Sequence, residues 1–408
     1  MLDRLIKFFT SLKLTVALLT LGLVLVFLGT VAQEPLGLYA AQNRFFRSFF
    51  VDASSLSAGF HKCADMLLQP LGYPLQPLNA HELLTAKRIP AFPGGYLIGG
   101  LLLINLVAAH LRYYQPSKKK IGIVMIHFGV VLLLVGQLLT DFLSTESSMH
   151  LRVGGTKNYS EADRRFELAV VDVTEKDSDK VFVIKQDRLA RKDSITHPDL
   201  PFSVRAKTFY ANSALAQKAE EGFEPVTGVS EFAGSVWMKE LPHETMMDRR
   251  DTPTAIVEIA GSQGSVGTFL VSALMGRAQR FNHGDRTYEI ALRPERHYKP
   301  FSLHLKEFSH DKYPGTEIPK NFSSRVLLDR PDTGERREVL IYMNNPLRYW
   351  GETYYQASFD RDDQGSVLQV VRNPSWLTPY FSCVLVALGM MVQFLTHLVP
   401  FLKRRMAT

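Results

Sequence analysis

The chain has 408 residues, 46% of them hydrophobic and 21% charged, with a formal net charge of +7. That length and apolar content exclude a disordered or fibrous protein. The two cysteines, Cys63 and Cys383, form no Cys-x-x-Cys or Cys-x-x-Cys-His pattern, which excludes a disulfide framework, dithiol redox chemistry and a c-type cytochrome.

A mean hydropathy near zero hides uncharged apolar runs separated by a long polar stretch. A bilayer core of about 30 Å needs about 20 mostly apolar residues as helix, because each advances about 1.5 Å and every peptide group must bond internally. In chain order, 14–32, 94–111, 121–140 and 376–400 meet that requirement and are expected to span the membrane. Arg4, Lys7 and Lys13 lie in 1–13, Arg112, Lys118, Lys119 and Lys120 fill the link 112–120, and Lys403, Arg404 and Arg405 lie in 401–408. These ten basic residues meet one acid, Asp3, in the same segments, and all fall on one side of the four spans. By the positive-inside rule both termini are expected in the cytoplasm, with 33–93 and 141–375 on the opposite side. The basic balance is thus a topology signal and not a nucleic-acid footprint. A cleavable signal peptide ending at Thr30-Val31-Ala32 is the competing reading of the first span, and it leaves the other three oriented the same way.

Within 33–93, Phe45, Phe46, Phe49 and Phe50 stand beside Arg44 and Arg47, a pairing that suits a helix anchored at headgroup level. His61 and Cys63 have metal-pair spacing without a third ligand, and read as a solvated histidine beside a buried thiol. From 166 to 371 short alternating runs at 166–173, 181–185, 202–209, 255–259, 268–272, 288–292, 301–308, 325–329, 339–343 and 354–358 predict an all-β sandwich or barrel. Pro331-Asp332-Thr333-Gly334 reads as a turn, and 213–221 is the one stretch that could form a soluble helix. No nucleophile elbow, metalloprotease motif, phosphate loop or dinucleotide fingerprint is present. His297, His304 and His310 read as surface histidines.

Three spans carry a histidine: His110, His127 and His397. Polar groups in hydrocarbon are costly and usually pair, line a cavity or bind a ligand. His127 lies six residues inside its span, roughly 9 Å deep, while His110 and His397 lie near the ends of theirs. Neutral imidazole is a good axial ligand for haem iron, and a flat apolar macrocycle can replace lipid around it. The alternative open at this point is a hydrogen bond between helices, from His127 to Gln137 or Asn105.

The arrangement of three early spans, a large outer β domain and one late span resembles the ResB-type cytochrome c biogenesis proteins, the smaller partner in system II haem attachment. The stretch 341–359, with Asn344-Asn345-Pro346-Leu347, Gly351 and Tyr355-Gln356-Ala357-Ser358, is similar to that family's segment before the last span. Phe308-Ser309-His310-Asp311-Lys312-Tyr313-Pro314 resembles the strand and turn preceding it, and Gly29-Thr30-Val31-Ala32-Gln33 the end of the first span, with alanine where the family has proline. The resemblance covers the first three spans and 301 onward, and is poor from 163 to 298. It implies a subunit in the bacterial cytoplasmic membrane that works with a ResC or CcsA-type partner, moves haem outward and delivers it to apocytochrome c, without catalysing the attachment alone. It also implies that His127 is a haem ligand by its place in the third span; His110 and His397 are further candidates. The partner's tryptophan-rich motif is lacking here, where Trp237, Trp350 and Trp376 lie far apart. The segment 341–359 itself reads as a β-domain corner or docking surface. The other reading of the whole is a membrane-tethered scaffold or sensor that binds protein partners through its β domain and no haem.

Overall fold

The computed structural model describes residues 2–113, 117, 120–175, 178–232, 234–247, 249–262, 264–316 and 319–406; Lys118 and Lys119 of the basic link, and the last two residues of the 401–408 tail, lie outside the described residues. The chain divides into two compact units, one of Met1–Ser144, Thr245–Asp248 and Asn373–Thr408, the other of Thr145–Glu244 and Arg249–Arg372.

The first unit holds four helices long and apolar enough to cross a membrane: Leu12–Val31, Gly95–Tyr113, Ile121–Leu143 and Thr378–Met406, the first to fourth spans below. Ser11 caps the first by accepting from the Lys13 N–H (3.2 Å), and Asn105 of the second span, nearly fully buried, binds its base. The Asn105 amide donates to the Phe9 and Ser11 carbonyls and its oxygen accepts from Thr15 Oγ1 (2.6 Å). The third and fourth spans meet along Gly122, Gly129 and Gly136. A Cβ on Gly122 would lie 2.7 Å from the Gly389 carbonyl oxygen, one on Gly129 would lie 2.6 Å from Val386 Cγ2, and one on Gly136 would strike Thr378. Residues seven apart return to one helix face, so the absence of side chains there lets the backbones approach closely. Aromatic rings gather at the end of the bundle where the second span starts and the third ends, Tyr96 packing on Phe49 (5.8 Å) and Phe142 (5.9 Å). Tyr96 also donates to Asp141, which takes Arg47 at 2.8 Å, and Trp376 packs on Tyr380 at the head of the fourth span (6.2 Å). Such rings prefer the level of the headgroups.

The segment expected as an interfacial anchor is built differently. Gln42–Phe46 is one π-helical turn, and the chain then enters a strand, Phe50–Asp52, paired with Pro90–Pro93. Phe45 is fully buried beneath Gly29 of the first span, and Arg44 is buried with it. The Arg44 guanidinium meets Asp52 at 3.2 Å and donates to the Leu84 carbonyl at 2.6 Å. Burial lowers the Arg44 pKa against the pull of Asp52; for Asp52, hydrogen bonds from Ser54 and Ser55 together with Arg44 outweigh burial and hold the carboxyl below its usual range. The basic residue that suggested a lipid contact is therefore an internal pin, because a carboxylate eight positions later folds back onto it. Only Phe49 and Phe50 of the four phenylalanines stay largely exposed.

The second unit is all β. Its main strands are β1 (Thr145–Arg152), β2 (Thr156–Asp172), β3 (Lys180–Lys185), β4 (Phe202–Tyr210), β5 (Thr254–Gly261), β6 (Gly264–Ser272), β7 (Gln279–His283), β8 (Arg286–Lys312), β9 (Pro319–Arg330), β10 (Glu335–Tyr342), β11 (Leu347–Tyr349), β12 (Glu352–Phe359) and β13 (Gly365–Arg372). The large sheet runs β10-β9-β8-β2-β1-β13-β12-β11, with β7 beside β8 and β3 beside β2, all antiparallel. A smaller sheet runs β6-β5-β4 to the edge pair Ser194–Ile195. The expected runs at 288–292 and 301–308 are two parts of one long strand, β8. Its first part packs Tyr288, Ile290 and Leu292 against the smaller sheet, and its second closes Phe301, Leu303 and Leu305 into a core with β1 and β9 to β13. Pro294 and shifts of register at 294–296 and 298–303 let β8 change direction between the cores. The large sheet therefore curls on itself around the second core, in agreement with the sandwich- or barrel-like expectation.

Two local expectations are corrected. The stretch 213–221 is a strand, Ser213–Ala216, followed by a turn: pairing with Trp237–Glu240 overrides its alanine-rich helical preference. Of the three expected surface histidines only His304 is bound at the surface, to Thr156 (2.9 Å). His310 lies between Phe322 and Phe359 with Nδ1 on Asp363 (3.0 Å), and both it and His297 bury Nε2. The curl of the sheet covers these side chains, which alternation along a strand does not reveal.

Candidate functional site

The glycine seam decides which way the third span points. Successive helical residues turn by about 100°, so His127, two positions before Gly129, faces away from the fourth span and toward the second. There it meets His110: the ring centroids are 5.5 Å apart and the planes stand at 83°. Both imidazoles are half-buried, at the ends of their helices joined by the basic link, with Arg112 and Lys120 on the flanking turns. Antiparallel helices with a short connection bring these residues together even though they lie 17 positions apart in the chain.

His397, the third candidate, is placed otherwise. It is exposed on the fourth span and bonds to Gln393 one turn earlier (2.8 Å). Asn105, considered from sequence as a partner for His127, is consumed by the base of the first span, and Gln137 is exposed. The sequence reading passed over the Gly122, Gly129 and Gly136 stripe, whose seven-residue spacing was a usable signal for the orientation of His127.

Chemically, the pair offers imidazole nitrogens from two neighbouring helices at one place. Among the described residues no three His, Cys, Asp or Glu side chains gather to hold a metal ion, so His61 and Cys63 gain no further ligand; Cys63 instead packs on the helical core. Two imidazoles are too few for a tetrahedral zinc site, whereas imidazole nitrogen is a donor type that haem iron would accept. The donor type suits that group, although the two rings here pack edge to face on one another and would have to part to hold it between them, and arginine and lysine at the same end suit carboxylates.

In the β unit the stretch 341–359 forms a corner. Asn344 adopts a positive φ of 62°, Asn345 and Tyr342 exchange backbone bonds, and Pro346 releases the chain into β11. Trp350 (φ 51°) and Gly351 (φ 76°) then make a two-residue hairpin turn into β12. Glu352 is buried in an ion pair with Lys299 and accepts from the Tyr354 hydroxyl (2.7 Å), whose pKa burial drives up. Gln356 Oε1 accepts from Ser324 and Ser366 (2.6 and 3.2 Å). These polar residues tie strands to one another.

The ResB-like family model matches residues 254–367. The chain is also 26% identical over 293 residues to Protein NrfI of Wolinella succinogenes, an alignment that covers 72% of this chain and 29% of that protein. It therefore spans less than a third of the length of this relative.

Proposed function

Because the chain is a ResB-type protein, we propose that it serves cytochrome c biogenesis as a haem-handling subunit of a membrane synthase complex. In this reading both termini lie in the cytoplasm of a bacterium and the β unit lies outside the cytoplasmic membrane, following the basic segments. Haem is cargo: it enters from the cytoplasmic side, passes outward with a ResC or CcsA-type partner and reaches apocytochrome c. The chain holds it through His127, with His110 as the second imidazole or as the group that orients the first. Arg112 and Lys120 take the propionates at the polar boundary. The bound iron supplies the redox-active centre; the protein's part is to orient the macrocycle and keep water from its faces.

The observation that carries this reading is the pairing of His110 with His127 away from the glycine seam. Neither ring takes part in the seam between the third and fourth spans, and both stand at the end of the bundle that carries Arg112 and Lys120. The complex purified in detergent is expected to show a Soret band that falls in His127→Ala and returns when imidazole is added to that variant. Absence of the band, or an unchanged band in both His127→Ala and His110→Ala, overturns haem binding here. Normal maturation of c-type cytochromes in a strain lacking this chain overturns the wider role.

A further inference from the structure

The corner at Trp350 has a property that its turn does not explain. A two-residue turn with both φ values positive favours asparagine, aspartate or glycine, and a tryptophan at φ 51° is held there against backbone preference. The residue is 51% exposed, with its indole near the buried Phe301 (6.3 Å between centroids). The position is thus occupied for the side chain it presents.

Strand register locates the turn along the sheet. Thr145 begins β1 and pairs with Arg372, the last residue of β13. Val371 pairs with Thr353, so Glu352 and the Trp350-Gly351 turn lie at that same end of the sheet. The chain leaves this end for the bilayer at once: Ser144 alone separates Thr145 from the third span, and 373–377 lead to the fourth. At about 3.6 Å per residue, Thr145 is within roughly 7 Å of the last helical residue, Leu143. Arg348 and Arg372 are exposed at this end, and the buried Lys299–Glu352 pair fixes the base of the turn. An amphipathic ring flanked by arginines suits the zone of phosphates and glycerol esters.

We propose that the Trp350 turn rests on phospholipid headgroups, in the leaflet where the third span ends and the fourth begins, and steadies the β unit against the membrane. Lipid is preferred over a protein partner because one residue joins β1 to the third span and five join β13 to the fourth, so the covalent connections hold these two strand ends within short reach of the bilayer.

The chain's three tryptophans make the test direct. Full-length proteins retaining only Trp350, only Trp376 or only Trp237, the others changed to Phe, are placed in nanodiscs whose phospholipids carry nitroxide at the headgroup, at carbon 5 or at carbon 12. Trp350 is expected to lose fluorescence to the headgroup and carbon-5 labels at least about 2-fold more than Trp237, in the manner of Trp376. Quenching no greater than that of Trp237, with free access to iodide, overturns the proposal. Shielding from both iodide and labelled lipid also overturns it, in favour of a protein cover. Should a double variant not fold, the difference between the unsubstituted protein and Trp350→Phe isolates the same signal and is judged by the same outcomes.

Discussion

Apart from the Arg44–Asp52 pin of the first unit, the two units treat buried polar groups differently. In the helical bundle a polar side chain among apolar ones is rare, and each sets a position: Asn105 holds the base of the first span, and the paired imidazoles stand apart from the seam that joins the helices. In the β unit buried charges are matched in pairs, Lys299 with Glu352 and Arg293 with Glu167 (3.0 Å), where strands change direction. A polar residue in the bundle therefore points to a specific task, whereas one in the β unit is most often part of a corner.

The largest effect should come from breaking a matched pair. Lys299→Met leaves Glu352 buried without its partner and is expected to cost about 3–5 kcal/mol, with Lys299→Met/Glu352→Leu less destabilised than the single variant; an additive double-mutant cycle in denaturant melts would refute the coupling. Next is the seam. Gly122→Val adds three carbon atoms where a Cβ alone already falls 2.7 Å from backbone, and a loss of about 3 kcal/mol or failure to assemble is expected, while Leu133→Ala, on an exposed face, changes little. Thermal melts in detergent distinguish the two. Asn105→Ala should cost about 1–2 kcal/mol by freeing the carbonyls of Phe9 and Ser11, visible as faster proteolysis near the N-terminus.

The smallest effect is a pH dependence confined to the β unit. Burial, reinforced by Lys299 and Arg165 against Glu295 and Glu352, holds His297 below its ordinary pKa. The unfolded chain then takes up a proton before the folded one, so this contribution to stability is complete above the ordinary value of about 6.5 and declines as pH falls from there toward the folded value. His297→Gln should flatten the slope of stability between pH 7 and 5; an unchanged slope would show that another group titrates.

Much of the architecture was legible because it rests on local patterns. The four apolar runs coincide with the four long apolar helices to within six residues at any end, and every expected strand falls inside an observed one or overruns it by one residue, since hydrocarbon length and alternation are properties of neighbouring residues. The turn at 331–334 was legible for the same reason, with Gly334 at a φ of 68°. At the candidate site the residue types could be read, but their company could not. That His110 faces His127 while His397 does not depends on the rotation of one helix, set by glycines on its opposite side.

Taken alone, the amino-acid order determined how many times the chain can cross a bilayer, which loops carry the positive charge and that the long polar stretch is β. Tertiary structure decided that Arg44 closes on Asp52, that two runs join into β8, that His297 and His310 are covered, and that Trp350 stands at the end of the sheet where the chain leaves for the membrane. Periodicity is encoded within a few residues and survives any surroundings. A partner tens or hundreds of positions away is chosen only when whole elements pack, because the cost of burying a charge or an imidazole depends on what else arrives beside it.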